Sequence, residues 1–399
     1  MPRTSPSAPR GTSTVPKSGA ALGITMALAN VLSYVFVLVL SRALGPADFG
    51  GFSALSAYGI VLSVPAGALQ VIVARHVAGA PPNSRGLRTA LVVGTALAGA
   101  TIIAAPLLTT AFRLDTFWSV IWLGLTLVPM TLTGAFQGIL LGRGRLVALS
   151  VIYVATAVGR LAAGAGGAAF GLSVAQVFLL LLLVSVGVAA LGAYVCRSDL
   201  TLADDRRLGP ELVRASVSLG AFIALTNVDV TLARAFLSEH DSGGYALAAT
   251  FGRAVGWGTQ FVALLLVPRM QGANAAKAFY RALGLILVLG LTALAVVSIA
   301  PDFWIRLAGG TEYAEFGNLA ISCVGLGVLW ALVQVALFAE MGLDSPWLGR
   351  LTWLVLAVQS VLIAGRFHES PYELVAVCAA GAAVIVSAAL IRSRRLQPN

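Results

Sequence analysis

Leu40-Ser41-Arg42-Ala43-Leu44-Gly45-Pro46-Ala47-Asp48-Phe49-Gly50-Gly51-Phe52 follows the first apolar stretch of this chain. Leu232-Ala233-Arg234-Ala235-Phe236-Leu237-Ser238-Glu239-His240-Asp241-Ser242-Gly243-Gly244-Tyr245 follows the seventh. With one single-residue gap, Arg42 aligns with Arg234, Asp48 with Asp241, Gly50-Gly51 with Gly243-Gly244, and Phe52 with Tyr245. A polar motif that recurs at equivalent places in the order of apolar stretches marks an internal duplication. The chain therefore reads as two related halves.

Composition places those halves in a membrane. Charged residues make up 11% of the 399, against about 25% in soluble proteins, and the mean hydropathy is +0.92. A chain this apolar cannot hide its surface in a soluble core, so lipid must cover it. The net charge of +10 invites a nucleic-acid partner. The Lys and Arg residues are spread through short connections rather than gathered on one face or run, which argues against it. Cys196, Cys323 and Cys378 lie in or at the end of apolar stretches without a CxxC pair. They read as small buried hydrophobes, with neither a disulfide nor a metal site implied.

Twelve apolar stretches are long enough to cross a hydrocarbon core of about 30 Å: 19–41, 51–73, 89–112, 117–141, 147–170, 174–196, 214–236, 244–267, 279–300, 314–338, 348–366 and 372–391. The expected fold is an all-α integral membrane protein of two pseudo-symmetric six-helix bundles around a central cavity. Residues 1–18 read as a disordered tail, 19–196 as the first bundle, 197–213 as a linker, 214–391 as the second bundle and 392–399 as a basic tail. If the N-terminus is cytoplasmic, nineteen Lys and Arg residues fall in inner segments. Only Arg42, Arg113, Arg234, Arg306 and Arg366 fall in outer ones. That bias puts both termini in the cytoplasm. Two packed membrane halves of this kind are the architecture of many transporters.

Enzymatic signatures are missing from the sequence. There is no G-x-x-x-x-G-K-[ST] loop, H-E-x-x-H or G-x-S-x-G, and His76, His240 and His368 lie far apart. No catalytic residue, metal or cofactor is expected. What remains is charge inside the membrane: Arg160, Asp229 and Arg253 fall within spans five, seven and eight. Such residues are costly in lipid and face a cavity or a partner. At 1.5 Å per residue, Asp229 lies roughly 12 Å and Arg253 roughly 15 Å below the outer helix ends, with Arg160 at similar depth. Two readings overlap: an Asp229–Arg253 ion pair that only neutralises two charges, and a hydrated cavity whose positive charge attracts an anionic head group. Carrying the repeat back by 192 residues places Val37 opposite Asp229, so the carboxylate is an asymmetric addition. With Thr226 and Asn227 beside it, Asp229 is also compatible with a coupling site that binds a proton or a cation. Arg42 and Arg234, at the outer helix ends, read as snorkelling anchors. Gln70 and Arg75 in span two and Gln137 in span four read as an inner-side lining or as interhelical hydrogen-bond partners.

Leu40–Phe52 resembles the S/A-R-x-L-G-P-x-D-F-G-x-F/Y segment of polysaccharide-transport membrane proteins. These are the oligosaccharide-lipid flippases of the multidrug/oligosaccharidyl-lipid/polysaccharide exporter superfamily. Gly67–Ala78, with its Arg75, is similar to the end of that family's second helix. Asn227-Val228-Asp229, Gly244–Ala248, Arg253 and Val267-Pro268-Arg269 are similar to its seventh and eighth. The resemblance implies two bundles that open alternately to either side, in a bacterial cytoplasmic membrane. It implies a polyprenyl-pyrophosphate-linked oligosaccharide as substrate, with glycosyltransferases or a polymerase of the same pathway as further partners. It also implies that cavity cations hold the pyrophosphate, here Arg75 and Arg253, to which the depth argument adds Arg160. Family members often have fourteen helices, and this chain ends near twelve. A cation-coupled small-molecule or drug exporter of the same superfamily is the alternative reading, and a non-transporting membrane scaffold a third.

Overall fold

A computed structural model describes residues 17–78, 86–200, 208–259, 275–341 and 347–395. The tail at 1–16, residues 201–207 of the linker, Val267-Pro268-Arg269 and residues 396–399 lie outside the described residues. Among the described residues the regular elements are helices, with no strand.

The first half comprises α1 (Lys17–Leu62), α2 (Val64–Val77), α3 (Leu87–Ile103), α4 (Ala105–Ala111), α5 (Trp118–Gly142), α6 (Leu146–Ala169) and α7 (Val174–Val195). The second comprises α8 (Leu208–Leu225), α9 (Val228–Phe236), α10 (Glu239–Gly258), α11 (Ala275–Ile299), α12 (Pro301–Gly309), α13 (Gly317–Met341), α14 (Trp347–Gly365) and α15 (Pro371–Arg395). A short 3-10 segment, Thr311–Phe316, joins α12 to α13.

By length and composition nine described helical segments qualify as membrane spans, or ten when the bent α3–α4 pair is included. One of the nine, Leu22–Val77, is 56 residues long. At 1.5 Å per residue it would extend about 84 Å, so it is two crossings. The division falls in the repeated motif. Gly45 has φ 67° and ψ 172°, in the left-handed region that glycine enters without a Cβ clash. Pro46 then restarts the helix with its φ already set. The eighth stretch is α10, which is polar at its start and contains Arg253. Each of the twelve apolar stretches is thus met by helix, in two pseudo-symmetric six-helix bundles.

Proline and polar residues break the spans where the sequence places them. Span three bends by 59° between α3 and α4, just before Pro106. Span seven is interrupted at Thr226-Asn227, between α8 and α9. Apolar side chains such as Ile103, Phe170 and Ile299 are exposed, as lipid-facing residues must be. All three cysteines are buried and unpaired.

The packed core is divided unevenly. One cluster lies within the first bundle and the start of α8, around Leu69, Phe136, Ile152 and Leu212. The larger cluster crosses between the halves, from Phe36, Leu40, Phe49 and Phe52 of α1 to Val230, Tyr245, Tyr313 and Trp330. It centres on the two copies of the motif, which meet at one end of the molecule, called here the motif end. Toward the opposite end α2 packs on α8, with His76 Nε2 3.8 Å from Glu211 Oε2.

Candidate functional site

The interruption of span seven creates a polar centre inside an apolar bundle. A helix that stops at Leu225 leaves carbonyls without intrahelical partners, and one that starts at Val228 leaves N–H groups in the same condition. Arg253 of the neighbouring α10 serves both ends. Its Nε donates to the Thr226 carbonyl at 3.1 Å, and its Nη2 donates to Asp229 Oδ1 at 3.3 Å. Asp229 sits in the first turn of α9, where the helix dipole favours a negative charge. Its other oxygen accepts the Tyr245 hydroxyl at 3.0 Å. Asn227 Nδ2 donates to the Ile223 carbonyl at 2.8 Å. Side chains therefore close the broken span.

The pair is asymmetric in exposure. Asp229 is 0% exposed, while the Arg253 side chain keeps 19%. Tyr34 of α1 lies within electrostatic reach of Arg253, so the guanidinium lies on the side toward the first half. Both oxygens of the carboxylate are occupied, and the cation is the partly exposed member of the pair.

Tyr245 is the residue that sequence reasoning missed, although a signal for it existed. It is the aromatic of the repeated motif, and its counterpart Phe52 has no hydroxyl. Asp229 corresponds to Val37, and Arg253, at the offset that follows the gap, corresponds to Ile60. Three apolar positions of the first half have become polar in the second, and the three meet one another.

The other expected cations stand apart. Arg160 of α6 places its guanidinium carbon 5.2 Å from the centre of the Phe36 ring; no ion pair or hydrogen bond joins it to Asp229 or Arg253 among the described residues. Arg75 is exposed near the end of α2. Gln70 donates to the Tyr153 hydroxyl at 2.7 Å, which makes it an interhelical tie between α2 and α6.

At the motif end the two copies of the repeat contact each other directly. A Cβ on Gly50 would lie 2.8 Å from Ser242 Oγ and 2.9 Å from Gly243 N. One on Gly243 would lie 2.5 Å from the Pro46 carbonyl carbon and nearer still to its oxygen. The glycines recur because the backbones of α1 and α10 touch there. The motif arginines are exchanged between the halves in the same way. Arg42 donates to the carbonyls of Ala308, at 3.3 Å, and Leu307, which end α12 of the second half. Arg234 donates to the carbonyls of Phe112, at 2.8 Å, and Arg113, at 3.1 Å, which follow α4 of the first half. Arg113 returns its guanidinium to the carbonyls of Arg234 and Leu237, and this exchange holds its backbone at φ 45°. Arg234 is 3% exposed, which overturns its reading as a snorkelling anchor. Each arginine instead seals a helix end in the opposite half, satisfying carbonyls that would otherwise be orphaned.

No protein-family profile matches the sequence, and no curated protein matches it. Solved structures do match over nearly the whole chain. The lipid II flippase MurJ in an inward closed conformation aligns with a TM-score of 0.71 and 9% identity, over 94% of this chain and 87% of that one. An inward-facing multidrug resistance MATE transporter of the MOP superfamily aligns with a TM-score of 0.67 and 15% identity, over 95% and 99%. An outward-facing MATE transporter of that superfamily aligns with a TM-score of 0.57 and 16% identity, over 95% and 95%. The chain therefore has the multi-pass membrane fold of MOP-superfamily transporters.

Proposed function

We propose that this chain is a flippase that moves a polyprenyl-pyrophosphate-linked oligosaccharide from the inner to the outer leaflet by alternating access. It would act in a bacterial cytoplasmic membrane, with both termini in the cytoplasm and the motif end outside. The observation that supports this reading is the fixed cation at the break of span seven. Arg253 keeps 19% of its side chain exposed while Asp229 is sealed, so the accessible charge of the pair is positive and suits an anionic ligand such as a pyrophosphate. Arg160 adds a second cation on the first-half side, and the exposed Arg75 would meet the head group nearer the cytoplasm. Binding, reorientation and release are the whole task, and no bond is made or broken.

The alternative, a cation-coupled exporter of small molecules, requires Asp229 to leave Tyr245 and Arg253 and accept a proton or cation. Leaflet fractionation of lipid-linked oligosaccharide in a deletion strain separates the two readings. The flippase reading expects the intermediate to accumulate on the cytoplasmic side, with rescue by the wild type and not by Arg253→Gln. Normal outer-leaflet glycan in the deletion strain refutes it and brings the exporter forward.

A further inference from the structure

The motif end holds a second feature that the central cation does not use. A cavity of about 320 Å³ opens there between the start of span two, the α4–α5 connection and the beginning of α7. Its size falls at the lower end of the range of small-ligand sites, about 300–1,000 Å³. One wall is aromatic. Trp118 and Trp122 stack with ring centroids 5.3 Å apart and planes 20° from parallel, and Phe117 stacks on Trp118 in turn, so the wall is a stack of aromatic rings. Asp48, Asp115, Thr116 and Gln176 bring polar groups to the rest of the lining, beside Leu114, Val174, Ala175 and Leu179.

The charges of the cavity select among ligands. Its carboxylates, Asp48 and Asp115, are matched by Arg113 and Arg234, so the site carries no net charge with which to concentrate a simple ion. The guanidinium groups are spent on backbone carbonyls of the interface between the halves. The carboxylates are not spent in this way, since among the described residues neither accepts a hydrogen bond from the protein. What is offered is an aromatic wall together with strong acceptors. That combination suits a ligand with a ring face of C–H bonds and a rim of hydroxyl donors.

We propose that this cavity binds a neutral saccharide unit, and that it is complete only while the halves are closed at the motif end. The second part follows from where the walls come from. Every lining residue belongs to the first half except Arg234, which the second half supplies. Separation of the halves withdraws that wall, so an occupied cavity holds the closed state by linkage. The proposal rests on the flippase reading, since a sugar on the outer side is what such a protein delivers. It makes external glycan a product that slows reopening.

Saturation-transfer difference NMR on the purified full chain tests the site, with glucose, galactose, rhamnose and N-acetylglucosamine as free probes. At least one sugar is expected to bind with a dissociation constant of about 1–10 mM, with the strongest saturation on its C–H face. Trp118→Leu keeps an apolar anchor without a flat ring and should abolish the signal, and Asp115→Asn should weaken binding at least tenfold. The same sugar should slow maleimide labelling of a Ser41→Cys reporter, which is buried at the motif end. The saccharide site is overturned if no probe saturates, if both variants bind as the wild type does, or if only sodium or potassium binds. Labelling that a saturating sugar leaves unchanged overturns the link to the closed state. The two proposals can fail separately. A chain that flips lipid-linked oligosaccharide yet binds no probe refutes the cavity alone. A chain that binds sugar while its deletion leaves outer-leaflet glycan normal refutes the flippase alone.

Discussion

Replacing Gly243 by alanine should open the motif end. The new Cβ would stand 2.5 Å from the Pro46 carbonyl carbon and 2.7 Å from its Cα, where ordinary contact begins at 3.4 Å. These are backbone atoms, so no side-chain rotation relieves the clash, and α1 and α10 must separate by about 1 Å. Overpacking of this kind costs about 1–3 kcal/mol. The cost falls only on the closed state, so the ratio of closed to open molecules should drop by about 5–150-fold. The assay is the labelling rate of a Ser41→Cys reporter by a membrane-impermeant maleimide, because Ser41 is 0% exposed while the halves are closed. In the regime where opening is faster than modification, the rate follows the open population. Gly99→Ala is the control, since nothing lies within 4 Å of its new Cβ, and it should label as the parent does. If Gly243→Ala inserts and folds normally yet labels at the parental rate, the backbone contact does not set the equilibrium and the reasoning fails.

Further outcomes follow from the two arginine sites. Arg253→Ala leaves the Asp229 carboxylate buried without its cation, which costs about 3–5 kcal/mol. The double variant Asp229→Asn, Arg253→Gln should therefore melt closer to the wild type than Arg253→Ala does, while transport stays lost; recovered transport would reduce the pair to mutual neutralisation. Tyr245→Phe restores the first-half residue type and removes one hydrogen bond to a carboxylate, worth about 1.5–3 kcal/mol, readable as a lowered melting temperature in detergent. Arg234→Ala should raise Ser41→Cys labelling more than Arg42→Ala, because the carbonyls that Arg234 satisfies are more deeply enclosed; equal effects would count against the reciprocal seal. Burial, and then the negative charge of Asp115, push the Asp48 carboxyl above its usual range; Glu239 adds to this and Arg234 opposes it. Asp115→Asn should bring the Asp48 carboxyl back toward its usual range, read by carboxyl carbon-13 NMR of the purified chain; an unchanged titration would refute the coupling.

Several features were legible in the sequence because each depends on a local or repeated pattern. Membrane spans follow from the length of apolar runs, since every backbone polar group in lipid must be satisfied within its own segment. The duplication follows from Arg42 and Arg234, Gly50 and Gly243, which need no structure to align. Asp229 and Arg253 could be paired because a charge in lipid must find a partner and the two fall at similar depth on adjacent helices. The broken α8–α9 span was hidden, since nothing local marks Thr226-Asn227 as a stop until Arg253 is seen to take the Thr226 carbonyl.

What only the tertiary structure decided is the relation between the halves. An alignment says that two motifs are alike; it does not say that they touch. Gly243 against Pro46, Arg42 on the end of α12 and Arg234 beyond the end of α4 join residues more than 100 positions apart, and no periodicity encodes such distances. The sealing of Asp229 and the partial exposure of Arg253 were also beyond the sequence. Two opposite charges at one depth are equivalent until the packing around Tyr245 and Tyr34 determines which of them stays partly exposed.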